Sequence, residues 1–174
     1  ARDLALMLPR DYRDLTNVTP LAARQAGVPA AVRVRVSGEP REQRARKLLI
    51  TKVFVTDGDE VAPVVWYNQP WLKKQLTVGR ELLLYGKAEW KKGVLQLVSP
   101  TIEQEGGLVP VYRAIPGVPA KAMRATVEAA LEACDGSWPE DLPESIRRRF
   151  NLCERNFALR SAHFPASKEA LAAA

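Results

Sequence analysis

The sequence predicts a mainly β fold: a small barrel of five strands followed by short α-helices. Three observations lead to this prediction. Apolar and polar residues alternate with a period of two in several short segments between residues 30 and 105. A short helical segment separates the third strand from the fourth, and after Gly107 the period becomes that of an α-helix. This order of elements is typical of the OB-fold, a five-stranded Greek-key barrel.

The first two strands lie on either side of a basic segment. In "AAVRVRVSGEP", Val32, Val34 and Val36 alternate with polar residues, which indicates a half-exposed strand. The segment "EQRARK" is predicted to be a basic turn. It leads into "LLITKVFVTDG", the second strand, which ends at an Asp-Gly pair that favours a turn.

The second half of the barrel begins with the third strand, "DEVAPVVWY". In the next segment, "NQPWLKKQL", Pro70 suits the first turn of a helix, and Leu72 and Leu76 lie on its inward side. The segments "RELLLYGKAEW" and "VLQLVSPTIEQ" are predicted as the last two strands, which "KKG" joins into a hairpin.

We predict three regions along the chain: an extended lead-in over residues 1–29, the barrel over 30–105, and a proline-rich connector with a helical extension over 106–174. Helices are predicted in "AKAMRATVEAALEAC", "PESIRRRFNL", "CERNFALRSAHF" and "SKEALAAA", and Ser167 suits the N-cap of the last. Because the chain does not begin with Met and ends within a helical pattern, we expect it to be part of a longer protein.

The composition is that of a globular protein, with 47% hydrophobic and 26% charged residues. Two cysteines and one histidine argue against a zinc site or a secreted disulfide framework, and favour a reducing cytoplasm. Neither a signal peptide nor a membrane-spanning apolar run is evident, so no membrane partner is expected. The net charge of +6 and the clustering of basic residues over 33–52 and 73–92 favour nucleic acid as a partner.

Residues that commonly carry catalysis have simpler explanations in this sequence. The segment "GRELLLYGKA" is only superficially similar to a phosphate-binding loop, since Ala88 stands where a hydroxyl is required. Asp57, Asp59 and Glu60 lie on a turn, where carboxylates are usually solvated, and the single His163 is predicted to be structural. We therefore expect no catalysis by this chain alone.

Three aromatic residues crowd the end of the third strand and the start of the short helix. Trp66 and Tyr67 must point to opposite faces of the strand, and the sequence does not say which of them faces the core. Trp71 lies on the flank of the helix. Tyr67 and Trp71 either cover the open end of the barrel or face outward and stack on nucleic-acid bases.

The motifs "LPRDYRDLTNVTPL", "WYNQPWLKKQL", "LVPVYRAIPGV" and "SAHFP" followed by "SKEALAAA" resemble the N-terminal wedge region of RecG-type ATP-dependent DNA helicases. The resemblance covers nearly the whole chain. It implies a parent protein that rescues stalled replication forks by fork regression and by branch migration of Holliday junctions. The wedge would insert at the branch point and split the arms, while a C-terminal motor that binds ATP and Mg²⁺ pulls the duplex.

The resemblance also implies roles for individual residues. Tyr67 in "YNQ" and Trp71 would stack on bases at the junction. The two basic segments themselves, and not the resemblance, assign six residues either to contacts with the DNA backbone or to the protection of strand edges from aggregation: Arg41, Arg44, Arg46, Lys47, Lys73 and Lys74. The implied partners are branched DNA, the motor of the same protein and single-strand-binding protein, with a monomeric, nucleoid-associated parent in the bacterial cytoplasm. Two alternatives stay open: a general single-strand-binding OB-fold, or a structural or protein-docking domain.

Overall fold

A computed structural model describes residues 1–45, 47–104 and 106–174. The chain divides into two compact units, which are considered separately: Leu15–Gly106, and Ala1–Asp14 together with Gly107–Ala174. The predicted lead-in over residues 1–29 is therefore shared between them, because residues 15–29 pack with the barrel.

In chain order the strands are β1 (Asp11–Asp14), β2 (Pro29–Val36), β3 (Arg41–Ala45), β4 (Leu48–Thr56), β5 (Val61–Tyr67), β6 (Glu81–Lys91), β7 (Val94–Glu103) and β8 (Leu108–Val111). The α-helices are α1 (Arg2–Ala5), α2 (Ala120–Ala133), α3 (Glu144–Phe150), α4 (Arg155–His163) and α5 (Lys168–Ala173). Two short 3-10 helices cover Leu21–Ala23 and Pro70–Gln75.

Five strands of the unit Leu15–Gly106 close into a barrel. Strand β2 pairs with both β4 and β6, β4 pairs with β5, and β7 pairs with β6. The ring is completed by a parallel pairing of β5 with β7. Parallel neighbours need a crossover connection, which the 3-10 helix Pro70–Gln75 and β6 provide. The predicted mainly β fold, an OB-type barrel with short helices after it, is confirmed.

The structure corrects the prediction that "EQRARK" is a turn. Residues Arg41–Ala45 form strand β3, which pairs antiparallel with β4 from Arg41 opposite Lys52 to Ala45 opposite Leu48. All five residues of β3 are exposed, so no buried face imposes an apolar alternation that a sequence pattern could reveal. Arg46, the next residue of the predicted turn, lies outside the described residues.

The barrel core is built around Trp66, whose side chain is fully buried. Its indole Nε1–H donates a hydrogen bond of 2.8 Å to the carbonyl oxygen of Pro100 on β7. Strand β6 passes close to the same residue, because a Cβ added at Gly86 would lie 2.9 Å from the Pro100 Cα. The register of β6 against β7 shifts at this point, between Tyr85 and Lys87. Gly86 and Trp66 thus pack on the same stretch of β7.

The other unit pairs β1 with β8 and packs α1, α2 and α4 around a second apolar cluster. On α2 the predicted stripe of Met123, Val127 and Leu131 is buried, as the sequence indicates. The predicted cap of α5 is also confirmed, since the Ala170 amide donates to Ser167 Oγ at 3.1 Å. Among the described residues, no helix has both the length and the apolarity that crossing a membrane requires.

Candidate nucleic-acid interface

The end of β5 determines which aromatic residue faces the core. Trp66 lies opposite Thr51 and Tyr67 lies opposite Ile50, and successive residues of a strand point to opposite faces. Because Trp66 is fully buried, Tyr67 points outward, where its side chain is only partly buried. The sequence left this choice open, and the packing of β5 against the barrel interior decides it.

Asn68 holds the turn between Tyr67 and the 3-10 helix against β4. Its backbone adopts the left-handed conformation, with φ of 54°. The backbone N–H of Asn68 donates to the Leu49 carbonyl oxygen at 2.8 Å. The backbone N–H of Leu49 donates in return to the side-chain Oδ1 of Asn68 at 3.0 Å. Asparagine tolerates this conformation better than most residues, which is the signal in "YNQ" that sequence reasoning did not use. Asn68 is thus a positioning residue for Tyr67.

The 3-10 helix Pro70–Gln75 presents Trp71 to solvent. Leu72 and Leu76 are buried in the barrel core, which confirms the predicted inward side of this segment. Trp71 is 59% exposed, an unusual state for the largest side chain. Tyr67 and Trp71 therefore lie on either side of one anchored turn and both have surface in contact with water. Their base-stacking role remains a prediction.

The predicted backbone-binding residues do not all share one face. Directly opposite residues of an antiparallel pair point to the same side, so Arg41 shares its face with Lys52. Arg44 lies an odd number of residues from Arg41 on β3 and points to the other face. Glu42 points to that other face too, and its Oε2 pairs with Lys73 Nζ at 3.3 Å. Lys47 and Lys74 are exposed, and Arg46 lies outside the described residues.

The face that carries Tyr67 and Arg41 also carries a residue that the predicted site omits. Phe54 on β4 is 41% exposed, and Lys52 Nζ lies 5.1 Å from the centroid of its ring. Sequence reasoning assigned Phe54 to the second strand without asking which face it occupies. Its place two residues from the outward Lys52 is the signal that could have identified it.

Two titratable residues considered at the sequence level have structural partners. Asp57 accepts hydrogen bonds from the amides of Glu60 and Leu21, at 3.0 and 2.7 Å, and these bonds lower the pKa of its carboxyl. His163 is fully buried, with Nε2 2.7 Å from the Ala5 carbonyl oxygen and Nδ1 2.9 Å from the Tyr112 hydroxyl. A carbonyl only accepts, so Nε2 carries the proton and Nδ1 accepts from Tyr112. Burial lowers the pKa of His163.

We expect acid to destabilise the unit that contains His163. Its pKa lies below the ordinary value of 6.5 in the folded state, so below about pH 6.5 the unfolded chain binds a proton that the native chain does not. The free energy of unfolding should then fall by up to about 1.4 kcal/mol per pH unit until the native pKa is reached. Urea unfolding between pH 7.5 and 5 measures this slope. His163→Gln, which cannot titrate, should flatten it, and an equal slope in both chains would contradict the assignment.

A comparison with known protein families decides where this chain belongs. A family model described as the RecG wedge domain matches residues 1–134. The chain belongs to the RecG wedge domain family. The ATP-dependent DNA helicase RecG of Bacillus subtilis (strain 168) is 30% identical over 139 residues, which are 77% of this chain and 19% of that protein. Its counterpart in Escherichia coli (strain K12) is 28% identical over 176 residues, 94% of this chain and 25% of that protein.

A solved structure has the same fold as this wedge-family chain. RecG bound to a three-way DNA junction matches with a TM-score of 0.85 and 24% identity, over 99% of this chain and 25% of that one. The wedge-family chain thus spans about a fifth to a quarter of the length of the two curated relatives named above.

Proposed function

We propose that this chain binds branched DNA and acts as the wedge of a fork-rescue helicase, inserting at the junction to split the arms. The processes served are fork regression and branch migration of Holliday junctions in DNA repair and recombination. Membership of the wedge family supports this proposal, as does the fold shared with a RecG that was solved on a three-way junction. The observation that carries it is the anchored turn that exposes Tyr67 and Trp71 at the barrel rim.

Stacking energies show what two exposed aromatic side chains can do at a junction. A base gains about 1–3 kcal/mol on an aromatic face, whereas opening one base-pair step costs about 1.4 kcal/mol on average. Tyr67 and Trp71 together offset the separation of the first one or two pairs. Unwinding a longer duplex needs an external source of energy, which in the parent would be ATP hydrolysis by the motor.

Basic residues around the turn would hold the phosphates without reading sequence. The proposed set is Arg41, Arg44, Arg46, Lys47, Lys73 and Lys74. Arg41 and Arg44 point to opposite faces of β3. This arrangement would suit two DNA strands that diverge on the two sides of the hairpin formed by β3 and β4. The exposed ion pair of Lys73 with Glu42 is worth less than about 1 kcal/mol, so Lys73 can exchange this partner for a phosphate.

The rest of the parent protein enters this proposal through the relatives, which are ATP-dependent DNA helicases. ATP and Mg²⁺ would bind to its motor, and the helical extension within residues 106–174 would connect the barrel of residues 30–105 to that motor. We also place the parent in the bacterial cytoplasm near the nucleoid, as a monomer with single-strand-binding protein as a candidate partner.

The proposal is tested by titrating the 174-residue chain against a fluorescent three-way fork, a matched duplex and a matched single strand. We expect the tightest binding to the fork, because only the fork offers unpaired bases and two diverging backbones together. The logarithm of the affinity should fall with that of the salt concentration, by about 0.7–0.9 per neutralised phosphate.

Each other result points to one of the alternatives. Equal affinity for the fork and the single strand would replace the wedge with a general single-strand-binding barrel. Equal, weak binding to all three DNAs would indicate a structural or protein-docking domain. Either result would overturn the proposal.

A further inference from the structure

Tyr67 on β5 shares the outward face of the sheet with residues of β4, and this face continues along β4 toward the other end of the barrel. Ile50 lies opposite Tyr67, and Phe54 lies opposite Pro63 on the same pair of strands. Residues at even spacing on β4 share a face, so Phe54 and Lys52 lie on the face that carries Ile50 and Tyr67. The residues that alternate with them along β4, which are Thr51, Val53 and Val55, point into the barrel and are fully buried.

The spacing along this face suits a strand of nucleic acid. Phe54 follows Ile50 by four residues, which is about 13 Å at the rise of a β-strand. Four stacked nucleotides cover about the same distance, at about 3.4 Å each. A base that stacked on Phe54 would therefore lie about four stacked nucleotides from a base at Tyr67, and fewer if the strand were extended.

The charges on this face are also those of a nucleic-acid path. Lys52 lies over the Phe54 ring, and Arg41 on β3 lies directly opposite Lys52. Within the part of the chain that the structure describes, neither Lys52 nor Arg41 is paired with a carboxylate. Glu42, the acid of β3, points to the other face. Both cations lie on the side of the Phe54 ring that is nearer Tyr67, so a base can stack on the ring while its neighbouring phosphates meet the cations.

We infer that the face formed by Phe54, Lys52 and Arg41 binds a single-stranded DNA arm as it leaves the junction at Tyr67. A base stacks on Phe54, and Lys52 and Arg41 contact the phosphates on the side of that base toward Tyr67. This inference rests on the proposed function, which supplies the junction from which the arm departs. It makes the barrel wall a second contact, distinct from the turn that carries Tyr67 and Trp71.

The test uses three-way forks whose second arm begins at the junction with a single-stranded stretch of 0, 2, 4 or 8 nucleotides and then continues as duplex. This single-stranded stretch is the arm whose length is varied, so the fork without it still has a three-way junction. The native chain should gain affinity as the arm grows to about four nucleotides and then reach a plateau. Phe54→Ala and Phe54→Leu should each lose this gain, about 5- to 100-fold on the 8-nucleotide arm, and bind the fork without an arm as the native chain does. Phe54→Trp should keep it. Lys52→Gln should lower the salt slope on the long arm by about 0.7.

The matched control is Trp90→Ala. It removes an aromatic side chain that is 67% exposed near the end of β6, where β6 turns into β7. Trp90 lies two residues from the buried Ala88 on β6, so it leaves the sheet on the inward side and not on the face of Phe54. The Trp90→Ala chain should show the same gain in affinity with arm length, and the same salt slope, as the native chain. Unfolding midpoints of all variants confirm that each chain is folded, and Phe54→Leu keeps the apolar contact that alanine removes.

Failure of this inference and failure of the proposed function give different results. If the armless fork binds no better than duplex, the wedge proposal fails whatever the arms do. If the armless fork is preferred but arm length has no effect, the inference is overturned. It is also overturned if the Phe54 variants follow the native series, or if Trp90→Ala loses as much as they do.

Discussion

Replacing both Tyr67 and Trp71 by alanine is expected to lower the affinity for forked DNA by at least about 30-fold. Each stacked base contributes about 1–3 kcal/mol, so the loss of both platforms removes 2 kcal/mol or more. The phosphate contacts stay, so the salt slope should not change. Trp71 is 59% exposed, and its removal leaves no cavity in the core. Titrations of native and double-variant chains against the same fork measure the difference.

The control for this prediction is the pair Tyr67→Phe and Trp71→Phe, which keeps both flat faces and should bind the fork nearly as the native chain does. A double alanine variant that binds normally would show that the two rings only cover the barrel rim. A variant that unfolds would show the same, and urea unfolding distinguishes these results from a loss of binding by a folded chain.

Replacing Trp66, the neighbour of Tyr67, by alanine is expected to have the opposite consequence: a loss of stability with no separate effect on DNA. Removing a buried tryptophan costs about 3–5 kcal/mol, because the transfer free energy is lost and a cavity remains. The Pro100 carbonyl also loses the indole donor that lies at 2.8 Å. Trp66→Phe keeps most of the volume and should cost about 1–3 kcal/mol through the missing hydrogen bond. The free energy of unfolding in urea measures both.

Trp71→Ala provides a matched control for Trp66→Ala, since the residue type and the change are the same. Its effect on the free energy of unfolding should stay within about 0.5 kcal/mol, as for most surface substitutions. Equal losses of stability at positions 66 and 71 would contradict the division between a buried and an exposed tryptophan.

Local patterns in the sequence were sufficient for most of the barrel. The alternation of Val32, Val34 and Val36 identifies β2 because a half-buried strand needs one apolar face. Leu72 and Leu76 identify the inward side of the 3-10 helix in the same way. Strand β3 could not be found by this means, because both of its faces are in contact with water. The ladder with β4 and the ion pair of Glu42 with Lys73 hold it, and neither requires an apolar face.

The sequence by itself determined that Trp66 and Tyr67 point in opposite directions, since this follows from the geometry of any strand. Only the tertiary structure decided that Trp66 is the buried one, because the choice depends on which side of β5 the ring of strands closes. The same closure placed Phe54 and Arg41 on the face of Tyr67 and turned Arg44 away from it. These relations join residues on different strands. They depend on which strands pair and in which register, and the pattern of one strand taken alone does not fix either.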